Sequence, residues 1–233
     1  MVLIPAGSFW MGCNPAKAKL CESNEKPGHE VSVPNFFIDK REVSVADYAR
    51  CMKAGKCRRP TDGLFCNRNR KEKQEHPVNC VSWYQARSYC KFAGKRLPTE
   101  SEWEKAARGV DRHLYPWGDD EPNCDKAVFD NGKTGCGSKG TWPIGSKPLG
   151  ASPYKVLNMA GNVSEWVEDP FHRNYQGAPK DGSSWEKPQM LNRITRGGSL
   201  GHPGIKMRIA RRQETPPGIQ MGFIGFRCAK DGS

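Results

Sequence analysis

Apolar positions along this chain come in short runs whose spacing switches between alternation and helical periodicity. Val2–Met11 alternates loosely about Pro5-Ala6-Gly7 and predicts a strand broken by a turn. The run VSVPNFFI at 31–38 predicts a second strand, with Pro34 marking a bulge or an edge. Ser44 is well placed as an N-cap for a helix in which Val45, Tyr48, Ala49 and Met52 share a face. Asp47 takes the capping-box position as a variant, and Gly55 supplies the stop. A second helix is predicted over Ser82–Ala93 from Trp83, Ala86, Tyr89, Cys90 and Ala93, and Gly94 ends it. Thr99 and Glu102 form a full capping box ahead of a third helix, whose buried face continues through Trp103, Ala106 and Ala107 to Gly109.

Beyond Gly109 the pattern turns irregular. Val163–Val167 predicts a strand with Val163, Glu165 and Val167 on one side, and Ile194–Ser199 leads into the segment 196–228. That last segment opens on Gly197-Gly198 and closes on Gly225-Phe226-Arg227-Cys228. It is rich in Gly and Pro with little alternation, and predicts a surface loop pinned at both ends, the usual place for function. Residues 53–76 are basic, polar and unpatterned, and predict an exposed insertion held by Cys57 and Cys66.

Composition sharpens this outline. Only 36% of residues are hydrophobic, yet 7 Trp, 9 Phe and 6 Tyr can bury much area per residue, so a loop-rich fold is expected rather than disorder. A formal net charge of +12 raises nucleic acid as a partner. The basic residues are scattered, however, and accompany no nucleic-acid-binding motif, so no nucleic acid is expected. No apolar run approaches the length of a membrane span, and the abrupt strand at the start reads as part of a longer or processed precursor.

Ten cysteines without a C-x2-C zinc spacing point to disulfides and hence to a periplasmic, cell-surface or secreted protein. The gaps Cys13 to Cys21, Cys51 to Cys57, Cys66 to Cys80 and Cys124 to Cys136 look like local loops, which leaves Cys90 and Cys228 as a long-range staple. The spacing alone does not fix that connectivity.

Several segments in order carry a family resemblance. They are Ile4-Pro5-Ala6-Gly7, Glu42-Val43-Ser44, Val81-Ser82-Trp83, Arg96-Leu97-Pro98-Thr99-Glu100, Pro116-Trp117-Gly118, the run from Asn158 to Trp166, Arg196-Gly197-Gly198-Ser199 and Gly225-Phe226-Arg227. Together they resemble the formylglycine-generating enzyme (sulfatase-modifying factor) family over essentially the whole chain. The resemblance implies an α+β fold, one C-type-lectin-like domain spanning 1–233, loop-rich with short strands and a few helices. It also matches Cys90 and Cys228 to the family's long disulfide.

In active members of that family, two cysteines after Gly-Gly-Ser bind copper and serve to oxidise a substrate cysteine. The matching stretch here, Leu200–Met207, has none, and offers only His202 and Met207 as metal ligands. The resemblance further implies calcium, held through the side chains of Asn158 and Glu165 and the carbonyls of Gly161 and Val163. Retroelement-diversified relatives of the same fold bind ligands between Gly-Gly-Ser and Gly-Phe-Arg.

The expected function is therefore a non-catalytic ligand-binding or protein-interaction module, with a metal-dependent oxidoreductase as the alternative. The expected ligand surface comprises Ser199, Leu200, Gly201, His202, Pro203, Gly204, Ile205, Lys206, Arg208, Arg212, Gly218, Ile219, Gly222 and Phe223, with His202, Lys206, Arg208 and Arg212 as polar contacts at its rim. An acidic protein, peptide or glycan is the expected ligand. The chain is also expected to be one domain of a larger membrane or signalling protein, such as a kinase.

Overall fold

The first strands set the plan. In the computed structural model, which describes all residues but 19, 133–135, 138, 139, 189 and 233, β1 (Val2–Ile4) and β2 (Gly7–Met11) are separated by the expected turn. The segment 31–38 is two strands rather than one: β3 (His29–Val33) pairs antiparallel with β2, while β4 (Phe36–Ile38) pairs with β1 in another sheet. Pro34 has no N–H for a ladder, so the chain breaks there and changes sheet.

Three helices follow as their caps dictate: α1 (Val45–Lys53), α2 (Trp83–Phe92) and α3 (Glu100–Arg108). Ser44 accepts from the Asp47 amide at 3.0 Å, and both α2 and α3 carry reciprocal capping boxes, Ser82 with Gln85 and Thr99 with Glu102. Every residue of α3 is buried. Its charged side chains each have partners inside the protein, as with Lys105, whose Nζ donates to the carbonyls of Pro5 and Gly7 at 2.7 Å.

The remaining strands are β5 (Ser164–Pro170), β6 (Arg193–Arg196), β7 (Arg212–Thr215), β8 (Ile224–Phe226) and β9 (Ala229–Asp231). Four of them form a sheet in the order β7-β6-β5-β8, with β5 and β8 parallel. β9 joins β4 on the side away from β1, so the two ends of the chain share one sheet. β5 is inner, and both its faces are covered: Glu165 and Trp166 are buried alike, not only the expected Val163, Glu165 and Val167 side. This is a single α+β domain, loop-rich, with short strands.

All five disulfides pair as the gaps suggested: Cys13–Cys21, Cys51–Cys57, Cys66–Cys80, Cys124–Cys136 and, across 138 residues, Cys90–Cys228. The apolar core centres on Trp103 with Ile4, Phe36, Met159 and Ile194, and a second cluster on Trp166 with Tyr48, Val81 and Phe226. Between them the core holds arginines. Arg212 grips Glu100 in a two-pronged pair at 2.7 and 2.9 Å, Arg208 holds Glu25 at 2.7 and 2.8 Å, and Arg227 holds Glu165 at 2.7 Å through each prong. Arg196 and Arg108 share Glu104. Fully buried carboxylates matched by planar guanidinium forks explain how a chain poor in hydrophobic residues fills its interior.

Candidate functional site

The segment between Arg196 and Cys228 is not the single surface loop its composition predicts. Its middle is β7, and β8 lies near its end. The sequence Arg-Gln-Glu-Thr of β7 gives no strand signal because its inward residue, Arg212, is charged. What its composition does locate correctly is the turn at Gly197 and Gly198, where φ is 85° and 68°. A β-carbon at Gly197 would sit 3.0 Å from the Met159 carbonyl oxygen, and one at Gly198 would sit 2.8 Å from that of Lys206, so both the backbone and the space demand glycine.

After the turn the chain runs through a 3-10 turn at Gly204–Met207. Ser199 is fully buried, and its hydroxyl lies 2.8 Å from Nδ1 of His202. Burial, together with Arg211 and Lys206, pushes His202 down to about 4, so it is neutral at pH 7. The Leu200 amide donates to the Asn162 carbonyl and the Asp130 amide to that of His202, which pins this half of the surface. Gly201, Pro203 and Ile205 are exposed, while Leu200, His202, Gly204 and Lys206 are half-buried. A cleft of about 240 Å³ lies beside them, lined by Ile205, Tyr115, Leu114, Lys17, Asp119 and Glu121 among others.

Three expected contact residues do not reach the surface. Ser199, Arg208 and Arg212 are buried, the arginines spent on Glu25 and Glu100, with Arg212 also donating to the carbonyls of Asn24 and His172. Their role is to hold the segment in place from within. Lys206 stays at the rim but is engaged with Glu22 at 2.5 Å. Met207, paired with His202 in the sequence as a metal ligand, is buried in an apolar cluster with Tyr115, Phe129 and Ala160.

The other half of the surface, 216–223, is tied to distant chain. The Trp83 amide donates to Pro217, the Cys80 amide to Met221, and the Ser164 amide to Phe223. Gly218 and Ile219 are exposed, Gly222 and Phe223 half-buried. The two halves meet: a β-carbon on Gly201 would lie 3.4 Å from the Phe223 ring. The residues the sequence missed are Leu64 and Phe65, with Phe65 packed against Phe223 at a centroid distance of 5.4 Å. Nothing in the local pattern of 53–76 marks them as neighbours of residue 223.

A larger depression, about 770 Å³, lies elsewhere, over the Cys13–Cys21 disulfide. It is lined by Pro15, Ser23, Lys26, Pro27, Gly28 and Asn174 among others.

The expected calcium ligands lie on one bent segment, with φ of 55° at Asn158 and 82° at Gly161. Nδ2 of Asn158 donates to both oxygens of Glu42 at 3.0 and 3.1 Å, and Nδ2 of Asn162 donates to Glu42 at 2.8 Å. The Asn158 amide thus faces Glu42 with Nδ2, which leaves Oδ1 turned away. Glu165 accepts Trp103 Nε1 and Arg227 Nε on one oxygen and Arg227 Nη2 alone on the other. An oriented amide oxygen, a carboxylate oxygen with one lone pair in use, and the Gly161 and Val163 carbonyls are hard donors of the kind calcium takes.

Comparison with known proteins agrees with this architecture. A family model described as the sulfatase-modifying factor enzyme 1-like domain matches residues 1–232. The formylglycine-generating enzyme of Mus musculus is 30% identical, over 99% of this chain and 75% of that protein. The inactive C-alpha-formylglycine-generating enzyme 2 of Bos taurus is also 30% identical, over 98% of this chain and 87% of its own. The serine/threonine-protein kinase pkn1 of Chlamydia caviae is 32% identical over 99% of this chain, which spans only 38% of the kinase. Among solved structures, PvdO from Pseudomonas aeruginosa superposes with a TM-score of 0.86 at 29% identity, covering 99% of this chain and 93% of that one. The chain belongs to the sulfatase-modifying factor enzyme 1-like family.

Proposed function

We propose that this domain is a non-catalytic, extracytoplasmic binding module of its family, with residues 200–206 and 218–223 as its ligand face. The observation that carries the reading is the makeup of the turn after Gly198. Residues 199–207 include no cysteine, and all ten cysteines of the chain are in disulfides. Cu(I) is held by soft thiolates. Here the turn offers one imidazole, engaged with Ser199, and one thioether sealed among aromatic rings. A relative named as an enzyme and one named inactive match this chain equally well, so overall similarity does not decide the question and the turn carries it.

Five disulfides in one domain suit an oxidising compartment, which supports a periplasmic, cell-surface or secreted location. The kinase relatives, of which this chain spans a minor part, support a role as one domain of a larger signalling protein. Calcium on Asn158, Gly161, Val163 and Glu165 would brace the bend that carries β5, a structural rather than chemical service.

The test is a peptide with a single cysteine, incubated in air with the copper-loaded protein and followed by mass spectrometry. No conversion of thiol to aldehyde is expected. Turnover that disappears in His202→Ala would make the domain an oxidase and end this proposal. Elemental analysis with a chelation melt tests calcium separately. Bound calcium and a lower Tm after chelation are expected, both lost in Asn158→Ala, whereas calcium-free protein with an unchanged melt would remove the ion and leave the binding face standing.

A further inference from the structure

The basic insertion at 53–76 is not a detached loop. Thr61 N donates to Gln220 Oε1 at 3.0 Å, and Asn79 Nδ2 bridges the carbonyls of Phe65 and Gly222 at 2.7 Å each. The amide of Asn67 donates to Asn79 Oδ1 at 2.8 Å, and Cys66–Cys80 closes the same corner covalently. The tip of the insertion is thereby clamped flat against 219–223.

What this clamp displays is apolar. Leu64 is 76% exposed, Phe65 43%, Ile219 37% and Met221 44%, with the Phe223 ring lying beneath Phe65. These side-chain hydrogen bonds and the disulfide hold the exposed apolar residues of the two segments close together in water, the kind of surface that marks an interaction site. Its frame is positive. Residues 53–76 carry eight basic and three acidic side chains. Asp62, the acid at the tip, is already used by Arg59 at 3.3 Å and Arg68 at 2.5 Å. Arg70 reaches over to the Leu64 carbonyl, and Arg58 is exposed.

We infer that this patch docks an acidic segment of another protein, one whose aliphatic or aromatic side chains cover Leu64, Phe65, Ile219 and Met221 while its carboxylates meet Arg58, Arg59 and Arg70. The inference rests on the ligand-face reading above and names the partner's chemistry for its 218–223 half. A partner with charge alone would leave the apolar centre wet, and an apolar partner alone would strand the arginines. Long-range attraction speeds the encounter, and burial of the centre supplies the hold.

The experiment selects a displayed random peptide library on the disulfide-intact protein and maps the selected peptides on variants. Enrichment of Asp and Glu interspersed with Leu, Ile or Phe is expected. Binding should weaken about thirtyfold, the scale of a hot-spot residue, in Leu64→Ser/Phe65→Ser and in Arg58→Glu/Arg59→Glu. It should be unchanged in Leu191→Ser, an exposed apolar control. Unaltered thermal melts of these surface variants exclude misfolding as the cause. Selected peptides that are neutral or basic, or acidic ones indifferent to both double variants, overturn the inference. So does heparin or single-stranded DNA binding more tightly than the peptides without sensitivity to Leu64 and Phe65. Peptides that respond only to Ile205→Asp leave the ligand face intact and sink this inference alone, while peptides that respond to none of the variants sink both.

Discussion

Glu25 has no contact with water, and the Arg208 fork occupies both its oxygens. Removing either partner strands a full charge in the core, so Arg208→Met or Glu25→Gln alone should cost about 3–5 kcal/mol by urea denaturation. Replacing both, as Glu25→Leu/Arg208→Met, should cost distinctly less, because nothing charged is left behind. A single variant losing under about 1 kcal/mol would mean that water reaches the pair. His76 gives a pH signature of its own. Thr141 Oγ1, which accepts from Asn67 Nδ2, lies 2.9 Å from His76 Nδ1, and Lys73 Nζ approaches the same nitrogen at 3.3 Å. The Lys73 ammonium can only donate and so requires an unprotonated Nδ1, and burial with the Lys73 charge brings the ring from 6.5 down to about 4. The unfolded chain therefore takes the proton first, and stability present above pH 6.5 is lost as pH falls toward 4. His76→Gln should flatten that loss, worth at most about 3 kcal/mol, in the difference between variant and parent stability–pH profiles. An unchanged acid limb would mean that the ring is protonated in the fold. His202 acts in the same direction and Asp169, raised to about 7 by burial and Glu100, in the opposite one, so the comparison must be by difference.

Helices were the legible elements because their signals are local. Thr99 does more than cap, however: its hydroxyl also donates to the Gly182 carbonyl at 2.9 Å, fastening the loop after β5 to the start of α3. Ser44 accepts the Asp47 amide and lacks a reciprocal box. Thr99→Ala should thus lower stability by about 1–2 kcal/mol and Ser44→Ala by about 1, measured under the same denaturant. Equal losses would show that the Gly182 tether adds nothing. Strands were less legible, for physical reasons that can be named. Pro34 separates two strands that belong to different sheets, which periodicity cannot distinguish from one bulged strand. β7 buries an arginine where pattern-reading wants a valine, and the same rule sent Arg208 and Arg212 to the rim. A charged residue predicts surface unless its carboxylate is known, and Glu25 and Glu100 stand 183 and 112 residues away. The two glycines of the site were found because their constraint is local; Leu64 and Phe65 were missed because theirs is not.

At the scale of the whole molecule the chain is closed by its ends. β9 pairs with β4 beside β1, Arg96 and Ala229 exchange backbone bonds at 2.9 and 2.7 Å, and Cys90–Cys228 joins α2 to the turn before β9. Cross-linking removes entropy from the unfolded chain according to the loop it closes, so this bond and Cys51–Cys57, which spans only 6 residues, should differ greatly. The chain-entropy relation gives about 5 kcal/mol for the first and about 2 kcal/mol for the second. Cys90→Ala/Cys228→Ala and Cys51→Ala/Cys57→Ala, unfolded reversibly in guanidinium with the other disulfides intact, measure the two. The long bond closes a loop that contains α3 and the whole four-stranded sheet, so its loss should shift one cooperative transition to lower denaturant with a steeper slope, since a less constrained unfolded chain exposes more surface. Loss of the short bond should move the midpoint less and leave the slope alone, because it constrains only the end of α1. If instead the long-bond variant unfolds in two steps, with the Trp103 core outlasting the β1-β4-β9 sheet, the ends would be a separable clasp rather than part of the cooperative unit, and the entropy argument would apply only to that clasp.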